Sequence, residues 1–481
     1  MLNKFLIFIM LLLPSDLFAR EVSVADSMSF RNALENASPG DVITLSKGNY
    51  TFSSNLNCSS SASTDRPIRV RAEDLGDAIL AFDTNEGFKV SGSSWIFENL
   101  EIHGICSADS NCEHAFHIFG AAHNLILRNN VLEGFNAHVK GNGINGIYPN
   151  NVLIEYNEFY SKSSRKTSNP VTPIDVVGGK GWKISHNFIH DFEKAEGNKI
   201  SYAAFLKGNS SGGVFSHNLI VCESLHQGGI RLGLSFGGGG TGTQFCEGQS
   251  CVTEHRNGKM FNNIIANCPA DVGIYINKGK DIKIYNNTLF NTTGIDVRFG
   301  ISTVDLQNNL LDGKIRERNG GHAVLSNNLQ QGNLSQWFTD ANNLDFTLID
   351  GTQIVDKGSS LASVKDDFCT NTRGEKYDIG AIEYDHPVCD TRTPFRTNFP
   401  VPTREEDMGS DAYGRGSDMG VSSEMSMKKD GGIRPGNDVT INPKEELDGC
   451  STTRPNPSNL LIYIPFLFGF LVRRKSRSRT T

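Results

Sequence analysis

The chain has 481 residues and a formal net charge of −7, with its basic residues spread along the sequence. This balance argues against a nucleic-acid-binding protein, which would concentrate Lys and Arg in one stripe. The length is ample for a large core, and ten cysteines are typical of an oxidising compartment. The expected disulfides, with Cys58 and Cys450 left over, are Cys106–Cys112, Cys222–Cys268, Cys246–Cys251 and Cys369–Cys389.

Residues 1–19 predict a secretory signal peptide. Lys4 precedes an apolar run over residues 5–13, and Ala19 offers a small residue at a cleavage point. The protein is therefore expected to cross the inner membrane and to act at the cell surface or in the periplasm.

A phrase of apolar residues around one asparagine recurs through the middle of the chain. Nine copies align at spacings of 19 to 45 residues, and their asparagines are Asn99, Asn130, Asn157, Asn187, Asn218, Asn263, Asn287, Asn309 and Asn328. Such a period predicts a solenoid. Alternating apolar residues, as in Ile282-Lys283-Ile284, and frequent Gly and Asn indicate strands and turns rather than helices.

The repeat predicts an all-β fold, a single-stranded right-handed parallel β-helix over residues 20–389, and a monomer is expected. Each aligned asparagine can stack its amide on the next coil, and a left-handed backbone conformation also suits Asn there. Residues 26–37 predict a short amphipathic helix that caps the N-terminal end of the core.

The C-terminal part predicts a different organisation. Residues 390–459 are rich in Pro, Gly, Ser and Asp and predict a disordered linker. The apolar segment 460–472 would span about 20 Å as a helix, short of a bilayer core of about 30 Å. The basic residues of 473–481 mark a cytoplasmic side. This tail resembles bacterial C-terminal sorting signals, which implies membrane anchoring or release after processing; a plain membrane tail is the alternative.

The strand before each asparagine phrase belongs to one predicted sheet, and alternation separates its two faces. The predicted inward residues are Phe116, Ile118, Ile174, Val176, Ala204, Leu206, Ile230, Leu232, Ile274, Ile276, Ile295 and Val297. The predicted outward residues are His117, Asp175, Phe205, Lys207, Arg231, Tyr275, Asn277, Asp296 and Arg298. Arginine grips carboxylates bidentately, so this face suits an acidic sugar chain, although a solvated strand face is often polar as well.

The repeat, the cap and the segment 377–384 resemble secreted β-helix proteins of the pectate lyase type. Phe205-Leu206-Lys207-Gly208-Asn209, with Arg231 placed 24 residues later, resembles polysaccharide lyase family 6, which includes chondroitinase B and alginate lyases. The resemblance implies that Lys207 is a catalytic base and that Arg231, one coil later, neutralises the acid or protonates the leaving oxygen. The family binds calcium through acidic residues ahead of the lysine, but residues 200–204 carry no carboxylate, so the cofactor is left unassigned.

Two further segments stand beside this face. Residues 237–251, with their glycine run and two cysteines, fill the longest spacing and form either a loop that approaches a ligand or a surface excursion. The turn His190-Asp191-Phe192-Glu193 could bind a metal or simply be solvated. The sequence thus favours an exported lyase of acidic polysaccharides; a non-catalytic glycan-binding or cell-surface β-helix, and a glycoside hydrolase or epimerase, are the alternatives.

Overall fold

The computed structural model describes residues 20–349 and 353–384. The signal peptide, Cys389, Cys450, the linker, the apolar segment and the basic tail lie outside the described residues. Among the residues described, no helix has the length and hydrophobicity needed to cross a membrane.

Three long parallel sheets carry the fold, and each coil contributes one strand to each sheet in turn. Sheet 1 has twelve strands: Glu21–Val24, Val42–Leu45, Ile68–Ala72, Trp95–Glu98, Ile126–Arg128, Leu153–Glu155, Lys183–Ser185, Val214–Ser216, Lys259–Phe261, Ile282–Tyr285, Thr303–Gln307 and His322–Ser326. Sheet 2 has eleven: Gly48–Phe52, Ala78–Phe82, Leu100–Gly104, Val131–Glu133, Glu158–Tyr160, Phe188–His190, Leu219–Val221, Ile264–Cys268, Thr288–Thr292, Leu310–Leu311 and Leu329–Gln330. Sheet 3 has ten: Leu56–Cys58, Glu86–Val90, His114–Phe119, Ala137–Asn142, Ile174–Val177, Ile200–Lys207, Ile230–Phe236, Ile274–Asn277, Gly294–Arg298 and Lys314–Arg318. The predicted right-handed parallel β-helix is confirmed.

Smaller elements decorate the coils. One α-helix, α1 (Ser27–Glu35), begins at the N-cap Asp26 and buries Phe30 against the rings of Tyr50, Phe52 and Phe88. Its capping function remains a prediction. Two further sheets are formed by Ser210–Ser211, His255–Arg256 and Gly279–Lys280, and by Phe338–Asp340 and Asp345–Leu348. Short 3-10 turns lie at Asp109–Asn111, Thr243–Phe245, Glu247–Gln249, Ser335–Trp337 and Ala341–Asn343.

The repeated asparagines form a buried ladder between sheets 1 and 2. From Asn130 to Asn328, each side-chain amide donates to the Oδ1 of the next asparagine at 2.8–3.0 Å. The same amide also donates to a backbone carbonyl of the preceding coil, as Asn218 does to Ile184 at 2.8 Å. The ladder therefore satisfies polar groups that the tight corner would otherwise bury unpaired.

Two details of the ladder correct the sequence prediction. Leu100, not Asn99, is the residue in register with Asn130, and its backbone N–H donates to Asn130 Oδ1 at 3.0 Å. Asn99 instead aligns with Asn129, whose amide it accepts at 2.8 Å. The left-handed backbone also belongs to this preceding position, where Asn99 has φ 60° and His186 has φ 54°.

The cysteines follow the prediction within the described residues. Disulfides join Cys106 to Cys112, Cys222 to Cys268 and Cys246 to Cys251. Cys58 is a buried free thiol, and burial raises its pKa. The Cys222–Cys268 bridge joins the ends of two neighbouring coils at sheet 2, and the Cys246–Cys251 bridge closes a turn in the insertion after the sheet 3 strand Ile230–Phe236.

Candidate active site

The outer face of sheet 3 carries two adjacent rows of side chains, one residue per coil. The first row is Asn57, Lys89, His117, Lys140, Asp175, Phe205, Ser235, Tyr275, Asp296 and Arg316. The second row contains Phe119, Asn142, Val177 and Lys207, then Asn277, Arg298 and Arg318, with Gly237 between the two groups by continuation of the register. The structure thus brings every predicted site residue except Arg231 into two neighbouring rows.

Lys207 lies at the centre of this face and is only 3% exposed. Its ammonium group sits 4.3 Å from the centre of the Phe205 ring, a cation–π contact that fixes the end of the side chain. Asp175 is the register partner of Phe205 in the preceding coil. The three side chains therefore form a compact cluster of a cation, an aromatic ring and a carboxylate.

Asp175 is held in its ionised form. Burial alone would raise its pKa, but Lys140 and Lys207 together lower it below the usual range. Lys140 donates to its Oδ1 at 2.8 Å. Because the carboxylate stays charged, it provides a fixed negative point between two ammonium groups.

The glycine loop, residues 237–242, covers Lys207. A Cβ at Gly238 would lie 3.1 Å from Lys207 Cδ, and one at Gly237 (φ 88°) would lie 1.8 Å from the carbonyl oxygen of Asn277. Only glycine permits this close approach. The insertion is therefore packed onto the outer face of sheet 3 beside Lys207.

The insertion is held down through Glu247. Its Oε2 accepts from Gly179 N at 3.1 Å, and its backbone N–H donates to Gly208 O at 2.9 Å. Asn209 Nδ2 donates to Glu247 O at 2.6 Å. These bonds connect the insertion to two preceding coils.

Glu254 is a site residue whose role the sequence did not predict. It is 1% exposed, and its Oε2 accepts from the N–H of Gly208 at 2.7 Å. Burial raises the pKa of Glu254, and Lys207 opposes that rise only partly. Two carboxyl groups with pKa values shifted in opposite directions, Asp175 and Glu254, therefore flank one lysine. In the sequence, Glu254 and His255 belong to no repeat or motif. The position of Glu254 beside Lys207 could therefore not be predicted.

A second polar cluster, formed by Tyr275, Asn277 and Arg298, lies in the coils after Lys207. The hydroxyl of Tyr275 accepts from Asn277 Nδ2 at 3.1 Å and from Arg298 Nη1 at 3.2 Å. Among the described residues, Arg298 forms no ion pair with a carboxylate. Its guanidinium instead contacts the Phe299 ring at 4.7 Å and Asn319 at 2.9 Å. Asp296 forms ion pairs with other residues instead: Arg316 and Arg318 each donate to it at 2.6 Å.

His117 lies at the opposite end of the first row. Its Nδ1 is 2.7 Å from Glu86 and its Nε2 is 2.7 Å from Asn142 Oδ1. Burial alone would raise the pKa of Glu86, but His117 and Lys89 lower it to about 2. His117 thus belongs to a self-contained ion-pair cluster three coils before Lys207.

The predicted pairing of Lys207 with Arg231 is wrong. Arg231 pairs with Ser201, and Phe205 pairs with Ser235, so Arg231 lies six residues from the Lys207 level, about 20 Å along the strand. Its side chain is 1% exposed and donates to Cys222 O, to Gly228 O at 2.8 Å and to Glu193 at 3.0 Å. Arg231 is therefore a buried support for the turn and not part of the Lys207 face.

The same register changes the predicted inward set. Ile230 is 37% exposed, and Leu232 packs with Val272 and Tyr275 outside the main core. Leu234 and Phe236 fill the core instead. Four apolar residues alternate in this strand, so alternation alone could not choose which two face inward.

Replacing Arg231 by Met is expected to lower the free energy of unfolding by about 3–5 kcal/mol, because it leaves Glu193 and nearby carbonyl oxygens buried without their partner. Urea unfolding monitored by circular dichroism measures this loss. A variant that is as stable as the wild type but inactive would contradict the structural role of Arg231.

The turn that holds Arg231 is the His190–Glu193 segment. His190 Nδ1 lies 2.7 Å from Asp191, whose Oδ1 accepts from the N–H groups of Ser224, Leu225 and His226. Burial alone would lower the pKa of His190, but Asp191 and Glu158 raise it above its usual value. The turn is a buried network, not a solvated one.

His190 gives the fold a predictable pH dependence. Because its folded-state pKa is raised, its contribution to stability is complete below the ordinary value of about 6.5 and is lost as pH rises through the raised value. His190→Gln is expected to flatten the fall in unfolding free energy above about pH 6.5. The exposed His322→Gln serves as the control, and an unchanged slope in His190→Gln would contradict the assignment.

The residues present do not fit a calcium site of the expected kind. Within residues 20–349 and 353–384, no group of three or more His, Cys, Asp or Glu side chains is arranged to hold a metal ion. The His190 turn, considered as a possible metal site, is occupied by Arg231. No catalytic step is therefore derived through a metal.

The comparisons with known proteins support the fold. No protein-family model matches the sequence. No curated protein matches it either. Among solved structures, pectate lyase Pel9A superimposes with a TM-score of 0.56 at 14% identity, over 76% of this chain and 97% of that one. A rhamnogalacturonan lyase gives 0.45 at 13% identity (78% and 98%), and an alginate lyase from Paenibacillus sp. str. FPU-7 gives 0.36 at 16% (65% and 97%). At 14% identity the likeness to pectate lyase Pel9A supports a shared parallel β-helix fold alone, and the resemblance to family 6 remains a prediction.

Proposed function

We propose that this protein is a polysaccharide lyase that cleaves an acidic, uronate-containing polysaccharide by β-elimination, with Lys207 as the base. The observation that carries the proposal is the second row of sheet 3, where Lys207 and Arg298 lie on one face with Gly237 and Asn277 between them. In this proposal Arg298 takes the role that was predicted for Arg231. Export, surface attachment and a monomeric state are part of the same proposal.

The chemistry requires a base and a cation that reach the same uronate. The backbones of Lys207 and Arg298 are three coils apart, about 14 Å at about 4.8 Å per coil, so both long side chains must extend toward the same sugar. β-Elimination breaks the C–H bond next to the uronate carboxylate and the C–O bond to the leaving sugar, and it forms a C=C bond. To act as the base, Lys207 must first lose its own proton; its amine then accepts the proton from carbon and passes it to the leaving oxygen, while a cation beside the carboxylate stabilises the negative charge that develops there. Arg298 suits that position, because no carboxylate of the described residues pairs with it and its planar group matches a carboxylate.

The fold supplies a suitable track. Coils stack at about 4.8 Å, so successive side chains of a row can meet successive parts of an extended chain. Phe205 and Tyr275 lie in the neighbouring row but are only 4% and 7% exposed, so a sugar ring can pack on them only after the residues that cover them have moved. The glycine loop has to move for a polymer to reach Lys207, and its six residues include five glycines.

A glycoside hydrolase is the second candidate, favoured by one observation. Hydrolysis uses a protonated and an ionised carboxyl group at one site. Burial raises the pKa of Glu254, and the lysines around Asp175 lower its pKa. The buried position of Glu254 and its hydrogen bond to Gly208 N favour a structural role for it, so the lyase ranks first. A non-catalytic glycan-binding β-helix ranks third.

The test is an ultraviolet assay for unsaturated uronate products with pectate, alginate and glycosaminoglycans as substrates. The lyase proposal expects an absorbance increase on at least one polymer. Reducing ends without that absorbance would favour the hydrolase. Binding without either product would favour the non-catalytic protein.

A further inference from the structure

The side-chain carboxamide of Asn277 is buried with one of its polar atoms unpaired. The residue is only 4% exposed, and its Oδ1 has no hydrogen-bond partner. Its Nδ2 donates to the Tyr275 hydroxyl at 3.1 Å. A buried acceptor left unpaired destabilises a fold, so such atoms persist mainly where they meet a ligand or a water.

Tyr275 completes a donor–acceptor pair with Asn277. Its oxygen already accepts two hydrogen bonds, from Asn277 and from Arg298. Within the described part of the chain, the hydroxyl hydrogen itself has no acceptor. Next to the unpaired Oδ1 there is therefore an O–H that is available to donate.

The pair lies beside the proposed reaction site. Asn277 is the register partner of Arg298, and Gly237 stands between it and Lys207 in the same row. The glycine loop covers both residues: a Cβ at Gly238 would lie 3.1 Å from Lys207 Cδ, and one at Gly239 would lie 3.1 Å from Asn277 Nδ2. Movement of this one loop would therefore open Lys207 and Asn277 together.

We propose that Asn277 is a specificity-determining residue that accepts a hydrogen bond from a free hydroxyl of the uronate, while Tyr275 donates to the same sugar. The inference rests on the proposed function and adds a substrate class: uronates whose hydroxyl at this position is unsubstituted. An O-acetylated or O-sulfated sugar has no hydrogen to donate there, and it would place an oxygen against Oδ1. Arg298 holds the carboxylate of the same sugar.

The experiment measures binding and folding separately. Wild type, Asn277→Leu and the exposed control Asn32→Leu are tested by calorimetry with tetrasaccharides of galacturonate, mannuronate, guluronate and glucuronate, each free and O-acetylated. We expect Asn277→Leu to bind the free tetrasaccharide preferred by the wild type at least 10-fold more weakly, with an unchanged or higher unfolding midpoint. We expect the acetylated form to bind poorly to every variant.

Three outcomes would overturn the proposal: wild-type affinity in Asn277→Leu, a large fall in its unfolding midpoint together with the loss of binding, or no binding of any free tetrasaccharide by the wild type. Failure of the lyase function is seen separately. Asn277-dependent binding without unsaturated product leaves the hydroxyl site intact and removes the lyase. Elimination that is unaffected by Asn277→Leu leaves the lyase function intact and contradicts the hydroxyl site at Asn277.

Discussion

Lys207→Met is expected to lower the rate of elimination by about 10²–10⁴-fold while leaving glycan binding and folding nearly unchanged, because a positioned general base contributes about that factor. Methionine keeps most of the apolar stem of Lys207 and loses only the ammonium contact with the Phe205 ring, so the packing of the site should survive. The initial rate of ultraviolet absorbance increase measures the effect. Calorimetric titration with the same polymer measures binding.

The matched control for this variant is Lys183→Met, which removes an exposed lysine from sheet 1 on a different face of the coil. It should retain the wild-type rate. If Lys207→Met also retains that rate, Lys207 is not the base and the site must be sought elsewhere.

Asn218→Ala is expected to lower the free energy of unfolding by about 3 kcal/mol, because a buried polar group left unpaired costs about 1–3 kcal/mol and each further lost hydrogen bond costs about 1 kcal/mol. Asn218 is fully buried. Its removal takes away the acceptor of the Asn187 N–H, one of three acceptors of Asn187 Nδ2 and a donor to the carbonyl oxygen of Ile184. Equilibrium unfolding in urea, followed by circular dichroism, gives the difference.

Asn32→Ala, at an exposed position outside the ladder, is the control and should stay within about 0.5 kcal/mol of the wild type. If Asn218→Ala were equally mild, the ladder would be a passive consequence of the fold and not a main source of its stability.

The fold could be predicted from the asparagine repeat because one physical requirement recurs in every coil. A tight corner buries backbone groups, and a carboxamide satisfies them while bonding to its neighbour above. The same pattern could not distinguish Asn99 from Leu100, since the first coil has only one asparagine where later coils have two in succession or an aromatic before one. That register is determined by contacts with the neighbouring coil, which are part of the tertiary structure and cannot be seen in the sequence.

Part of the candidate site could be predicted because the alternation of apolar and polar residues also recurs in each strand of sheet 3. Alternation correctly predicted the first row through His117, Asp175, Phe205 and Tyr275, because each of these residues lies between two apolar residues of the core, as Phe205 does between Ala204 and Leu206. It failed at Arg231, where the strand is longer and the chain between strands is not of constant length. A 24-residue separation suggested adjacent positions, whereas the observed register from Phe205 to Ser235 is set by backbone pairing.

The covering of the site could not be predicted from strands at all. The glycine loop and Glu254 reach Lys207 through an insertion whose path depends on the bonds of Glu247 to two preceding coils. Alternation carries no information about such a path. The buried, unpaired Oδ1 of Asn277 is likewise visible only once the neighbours of each atom are known.

Cleavage in H₂¹⁸O tests the central claim most directly, since elimination and hydrolysis differ in whether water enters the product. Products of the polymer cleaved fastest would be analysed by mass spectrometry. The account predicts no incorporation of ¹⁸O and one unsaturated sugar at each new non-reducing end. One ¹⁸O atom for each bond cleaved, without unsaturation, would contradict it.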